Sequence, residues 1–173
     1  SNISASKFSS IIGGHDNFIS QSWYSTIIGS AESTITMIAD PVSQTDLGAG
    51  NVILGAQVSN IKLSSIDSNQ GVLNTIVGGL FQSITSVDST TNDPRYSAVI
   101  AGFGNYISHS DASVVIGGHG NKIQSPNYGV IIGGENNTLS SSATSAVIIG
   151  GNGLTGTEAN TVYVQNIDVR GTM

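Results

Sequence analysis

Several of the side chains able to do chemistry lie in three stretches that interrupt an otherwise regular chain. Residues 37–50 contain Asp40 and Asp46, residues 62–71 contain Asp67, and residues 85–96 contain Asp88, Asp93, Arg95 and Tyr96. Carboxylates, amides and a guanidinium on inserted loops suit hydrogen bonding to a polyhydroxylated ligand, and insertions in repeat proteins gather on one face. Trp23 and Tyr24 add rings able to stack on a sugar. Tyr24, Tyr96 and Tyr128 each stand five residues before a turn residue, namely Gly29, Ala101 and Gly133. The expected ligand is a glycan; the competing role for the tyrosines is a ladder packed on neighbouring repeats or subunits. Asp40 with Asp46, or Asp88 with Asp93, would serve glycoside hydrolysis only if held about 5–9.5 Å apart. Nothing else in the sequence asks for a catalytic carboxylate, so the chain reads as a binding protein and not an enzyme, with no catalytic residue, metal or cofactor. His15 and His119 share a repeat position, with Ala31, Gln57, Phe81, Phe103, Glu135 and Asn152 at its other copies, and the two are too far apart to hold one ion.

Composition narrows the classes further. Charged residues make up 9% of the 173 positions, against about 25% in an ordinary globular domain, and Ser, Thr, Asn and Gly carry the polarity. The formal charge is −6, and Lys7, Lys62, Arg95, Lys122 and Arg170 never cluster. No basic stripe exists for nucleic acid or an anionic membrane. No apolar run approaches the roughly 20 residues that span a bilayer, so no membrane insertion is expected. The absence of cysteine leaves no disulfide framework and no thiol chemistry.

What must position these residues is a repeat. An apolar pair followed by a small residue recurs eight times, from Ile11-Ile12-Gly13 to Ile148-Ile149-Gly150, at successive spacings of 16, 26, 23, 23, 16, 16 and 17 residues. The unit is sixteen residues, and the three longer spacings carry the insertions. Six residues past the small residue stands Ile19, Ile35, Ile61, Ile84, Ile107, Ile123 or Leu139, failing only at Gly156. Four past it stands Asn17, Asn105, Asn121 or Asn137, with Ser33, Ser59 and Gln82 as polar substitutes and Leu154 as the exception.

A short unit of β-branched residues punctuated by glycine, without helical spacing, predicts an all-β parallel β-solenoid (a β-helix or β-roll) of about eight coils. The sixth-position isoleucines should stack inside, the asparagines should bond from coil to coil or cap a turn, and the glycines should make the corners. The solenoid is expected over residues 1–156, with residues 157–173 as a C-terminal β segment leading to a further module. Successive strand residues face opposite sides, so one member of each apolar pair must point outward. Assigned to the second member, this gives an outer ladder of Ile12, Ile28, Leu54, Val77, Ile100, Ile116, Ile132 and Ile149. So long an aliphatic stripe exceeds what a monomer leaves exposed, and burial against identical copies predicts a parallel homotrimer.

The I-I-G-G-x-x-N-x-I-S units resemble the head repeats of trimeric autotransporter adhesins and the β-helical shafts and tips of virion tail fibres, over residues 3–156. The adhesin heads use a somewhat shorter unit with an alanine-rich S-V-A-I-G pattern, where this chain has paired isoleucines and asparagine. The resemblance implies a homotrimeric segment of a viral tail fibre that attaches to a cell-surface glycan or protein receptor. Its alternatives are the head of a bacterial surface adhesin or a tailspike-like glycan hydrolase. The implied location is the virion or the cell exterior.

Overall fold

The computed structural model describes residues 1–38, 50–64, 73–85 and 95–168, and every regular element among them is a short β-strand. The strands form two parallel sheets of nine. The first sheet runs from Asn2–Ser4 through Phe18–Ser20, Thr34–Ile38, Asn60–Ser64 and Ser83–Thr85 to Thr155–Gly156; the second runs from Ser10–Ile12 through Thr26–Ile28 and Val114–Ile116 to Val162–Val164. Chain order alternates between the sheets, so each turn of chain adds one strand to each. A third ladder of single-residue bridges joins His15, Ala31, Gln57, Leu80, Phe103, His119, Glu135 and Asn152 in turn. Leu80, not Phe81, holds the fourth place there. At about 4.8 Å per step, nine strands make a rod on the order of 40 Å long.

Registers stack like on like. Ile107 pairs with Ile123, and Val115 with Ile131. The central residue of each strand faces inward: Ile19, Ile35, Ile61, Ile84, Ile107, Ile123 and Leu139 from one sheet meet Ile27, Ile53, Ile76, Val99, Val115, Ile131 and Ile148 from the other, all fully buried. The core is thus two facing rows of mostly β-branched side chains, the shape that packs best on a pleated surface.

Two expectations shift in detail. The strands Thr34–Ile38 and Asn60–Ser64 run five residues and pair in full, burying Met37 and Leu63; the insertions therefore begin later than residues 37 and 62. The C-terminal segment continues the solenoid past residue 156, because Val162–Val164 is the ninth strand of the second sheet. Leu139 and Tyr163 together explain the exception at Gly156: a Cβ there would lie 2.5 Å from Leu139 Cδ2 and 2.9 Å from Tyr163 Cε2. The Tyr163 hydroxyl accepts hydrogen bonds from the backbone N–H groups of Thr157 and Glu158, at 3.0 and 2.7 Å.

The asparagine position is a buried ladder along the rod. Asn121 Oδ1 accepts the N–H of Asn137 at 3.0 Å, and Asn121 Nδ2 donates to the carbonyls of Gly133 and Gly134 at 3.2 and 3.1 Å. Asn105 and Asn137 repeat the pattern on their own neighbours. Ser33 and Ser59 keep only the acceptor half, at 3.4 and 3.2 Å. A second ladder, unmarked in the sequence, runs down the opposite corner: Asn51 Oδ1 takes Asn74 N–H, Asn74 Oδ1 takes Ser97 N–H, and Ser97 Oγ takes Ser113 N–H. Both occupy sites where buried backbone donors would otherwise lack partners.

The doubled glycine has two different jobs. At Gly117 (φ +66°) a Cβ would meet nothing within 4 Å, whereas at Gly118 (φ +79°) it would lie 2.3 Å from Asn121 Nδ2 and 2.5 Å from the Gly134 carbonyl oxygen. Ala101 already occupies the outward position at φ +57°. Gly117→Ala should cost only the left-handed backbone strain, about 1 kcal/mol, and Gly118→Ala roughly 3 kcal/mol or more because the ladder must shift. Paired urea titrations of the two variants read the difference directly.

Candidate functional site

Two surfaces stand out. The first is the outer face of the second sheet. The second member of every apolar pair stands outside the chain's own core: Ile12 at 57% exposure, Ile100 at 38%, Ile116 and Ile132 at 41%, with Ile28, Val77 and Ile149 also exposed and Leu54 half-buried. These are the residues assigned to the outer ladder, while the inner ladder of this sheet is built from the first members. In the C-terminal half the neighbouring outward column is aliphatic as well, with Val114, Val130 and Val147 half-buried, so the face is there two aliphatic columns wide. Round the glycine corner it meets aromatic edges: Phe81 and Phe103 are both exposed, with ring centroids 5.5 Å apart, and Phe103 lies 5.1 Å from the His119 ring. His119 Nδ1 stands 3.4 Å from Glu135 Oε1, and Asn152 Nδ2 donates to Glu135 Oε2 at 3.2 Å. Among the described residues no three His, Asp or Glu side chains converge.

The second surface is the corner between first-sheet and second-sheet strands. All three insertions interrupt this one connection, since they leave after Ile38, Ser64 and Thr85 and return before Val52, Thr75 and Ala98. Of the residues assigned to ligand binding there, Asp40, Asp46, Asp67, Asp88 and Asp93 lie outside the described residues. Arg95 is engaged: its guanidinium Nη2 sits 2.8 Å from Asp111 Oδ2, its Nε donates to Asp111 Oδ1 at 3.2 Å, and its backbone N–H donates to the same oxygen. Asp111 thereby ties two successive coils, a role no sequence signal announced.

The aromatic column is on the same corner. Tyr24, Tyr96 and Tyr128 occupy equivalent places, and Phe8, which sequence reading passed over, belongs with them. The same count of five before Gly13 would have found it. All four have left-handed backbone, at φ +55° for Phe8, +53° for Tyr24, +56° for Tyr96 and +59° for Tyr128. Backbone bonds impose this: Tyr24 N–H donates to the Lys7 carbonyl at 3.0 Å and Tyr128 N–H to the Asp111 carbonyl at 2.8 Å. For a bulky residue such a conformation costs on the order of 1–3 kcal/mol. Burial returns little, because the four rings are 53–74% exposed. Phe8 and Tyr24 stack in parallel at 5.1 Å, about one coil rise. Trp23 beside them is half-buried and holds the Lys7 ammonium over its ring at 4.4 Å, a cation–π contact that occupies one ring face.

Comparisons with protein-family models, curated proteins and solved structures find no match.

Proposed function

We propose that the chain is a structural and attachment segment of a homotrimeric fibre, of the kind found in virion tails, that carries a ligand-binding corner towards a cell surface. The head of a bacterial surface adhesin is the same device in another setting. The observation that carries the reading is the aliphatic column on the outer face of the second sheet, exposed from Ile12 to Ile149 except at the half-buried Leu54. A soluble monomer seldom leaves so large a contiguous apolar patch in water. Parallel rods arranged about a common axis bring identical columns into contact at every level, so each Ile meets its own copies without an offset. Three as the number of rods rests on the likeness of the I-I-G-G repeats to trimeric fibres. The low charge, the acidic balance and the insertions confined to one connection suit an extracellular binding rod better than an intracellular enzyme.

Light scattering on the purified chain tests the reading. Three chains of 17.7 kDa give 53.1 kDa, and that mass is the expected result. A stable mass of 17.7 kDa at micromolar concentration removes the proposal.

A further inference from the structure

The left-handed corner column is a place where this chain puts aromatic rings at an unfavourable backbone angle and then leaves them in water. The glycine corner of the same coils shows the cheaper solution, with Gly117 and Gly133 at φ +66° and +65°. Strain retained without burial in return points to a use outside the fold. We propose that Tyr96 and Tyr128, with Ala112 between them, form a slot that sandwiches one pyranose ring of a neutral glycan. The inference deepens the attachment role and rests on that reading for its biological setting.

The geometry favours a sugar over other flat ligands. Ala112 lies in the intermediate coil at φ +48°, its N–H bonded to the Arg95 carbonyl at 2.7 Å, and Tyr128 follows in the next coil. Tyr96 and Tyr128 are therefore two rises apart, about 10 Å, over a methyl floor. The Phe8–Tyr24 stack, 5.1 Å apart with ring planes 9° from parallel, shows how adjacent rings in this column sit. A planar ring held at van der Waals contact of about 3.5–4.0 Å on both faces would need only about 7–8 Å. The wider gap fits a puckered ring bearing hydrogens above and below. Neither tyrosine ring stacks on another ring among the described residues.

Electrostatics selects the class. The nearest cation, Arg95, is matched by Asp111 at 2.8 Å, and the chain carries a formal charge of −6, which disfavours sialylated, sulfated and nucleic-acid ligands. Asn127, next in sequence to Tyr128, accepts the Asp111 N–H through Oδ1 at 3.1 Å, and its amide N–H₂ is the donor assigned to the sugar hydroxyls.

A glycan array of neutral and sialylated oligosaccharides, read with the intact chain, tests the proposal, followed by calorimetric titration with the strongest neutral hit. Binding to neutral glycans is expected. Tyr96→Gly and Tyr128→Gly should each weaken it at least tenfold while the melting temperature holds or rises, since glycine relieves the left-handed strain. Ala112→Tyr fills the slot on a backbone its neighbours already use, and should fold but bind at least tenfold more weakly. Absence of neutral-glycan binding, undiminished binding by Ala112→Tyr, or a lowered melting temperature in the glycine variants overturns the slot. Mass by light scattering on the same samples keeps the two ideas apart: a 53.1 kDa species that binds no glycan defeats the slot alone, and a binding monomer of 17.7 kDa defeats the fibre alone.

Discussion

Aspartate at Ile116 and Ile132 together should turn the proposed 53.1 kDa trimer into a folded 17.7 kDa chain. Both side chains stand outside the chain's own core at 41% exposure, so in a single rod the new carboxylates remain in water and ask little of the fold. About a trimer axis each would be buried without a counter-ion, at several kcal/mol per group, and close to its two symmetry copies. The loss of assembly should be complete at micromolar concentration. The neighbouring residue gives the contrast. Ile131 is fully buried, so Ile131→Asp should abolish the fold, seen as loss of the β-sheet circular dichroism signal. Retention of the trimer by the double variant, or unfolding equal to that of Ile131→Asp, would show that the outer column does not form the interface.

Asn121→Ala should lower the melting temperature by about 10 °C. It strands the Asn137 N–H and removes the amide that binds the carbonyls of Gly133 and Gly134. The stranded N–H costs about 1–3 kcal/mol and each of the two lost amide bonds about 1 kcal/mol, and roughly 4 kcal/mol in total corresponds to a shift of that size for a chain of this length. Asn121→Ser should cost about half as much, because Ser59 Oγ already performs the acceptor half towards Gln82 N–H at 3.2 Å. Differential scanning calorimetry ranks the three proteins. Equal melting temperatures for wild type and Asn121→Ala would mean that the ladder does not hold the coils together.

Much of this was legible because a sixteen-residue period writes each structural position eight times. The inner isoleucines, the recurring asparagine position and the rule that one member of each pair faces outward all follow from counting. Other features escaped for physical reasons. Ser25, Ser97 and Ser113 share a column with Asn51 and Asn74, and among so many serines a position that accepts either residue leaves no consensus. Phe81 displaced Leu80 in the reading because both are apolar and differ by one place, and one place on a corner separates the bridge residue from the left-handed residue at φ +58°. Backbone handedness at Tyr96 and Tyr128 is invisible in sequence, since aromatics rarely adopt it. The role of Asp111 depends on Arg95 arriving from the preceding coil, sixteen residues earlier, and no local motif reports that. The carboxylates Asp40, Asp46, Asp67, Asp88 and Asp93 were found by type alone, and their positions lie outside the described residues.

The direction of the hydrogen bonds has a mechanical consequence. In both sheets the bonds join one coil to the next, along the length of the rod, so a pull on its ends loads one coil interface after another instead of shearing all of them together. Each basic coil that peels away gives up about 5 Å of rod and releases sixteen residues, roughly 55 Å of extended chain. A rod built this way lengthens in steps under load, and the energy of a sudden tug is dissipated in its coils.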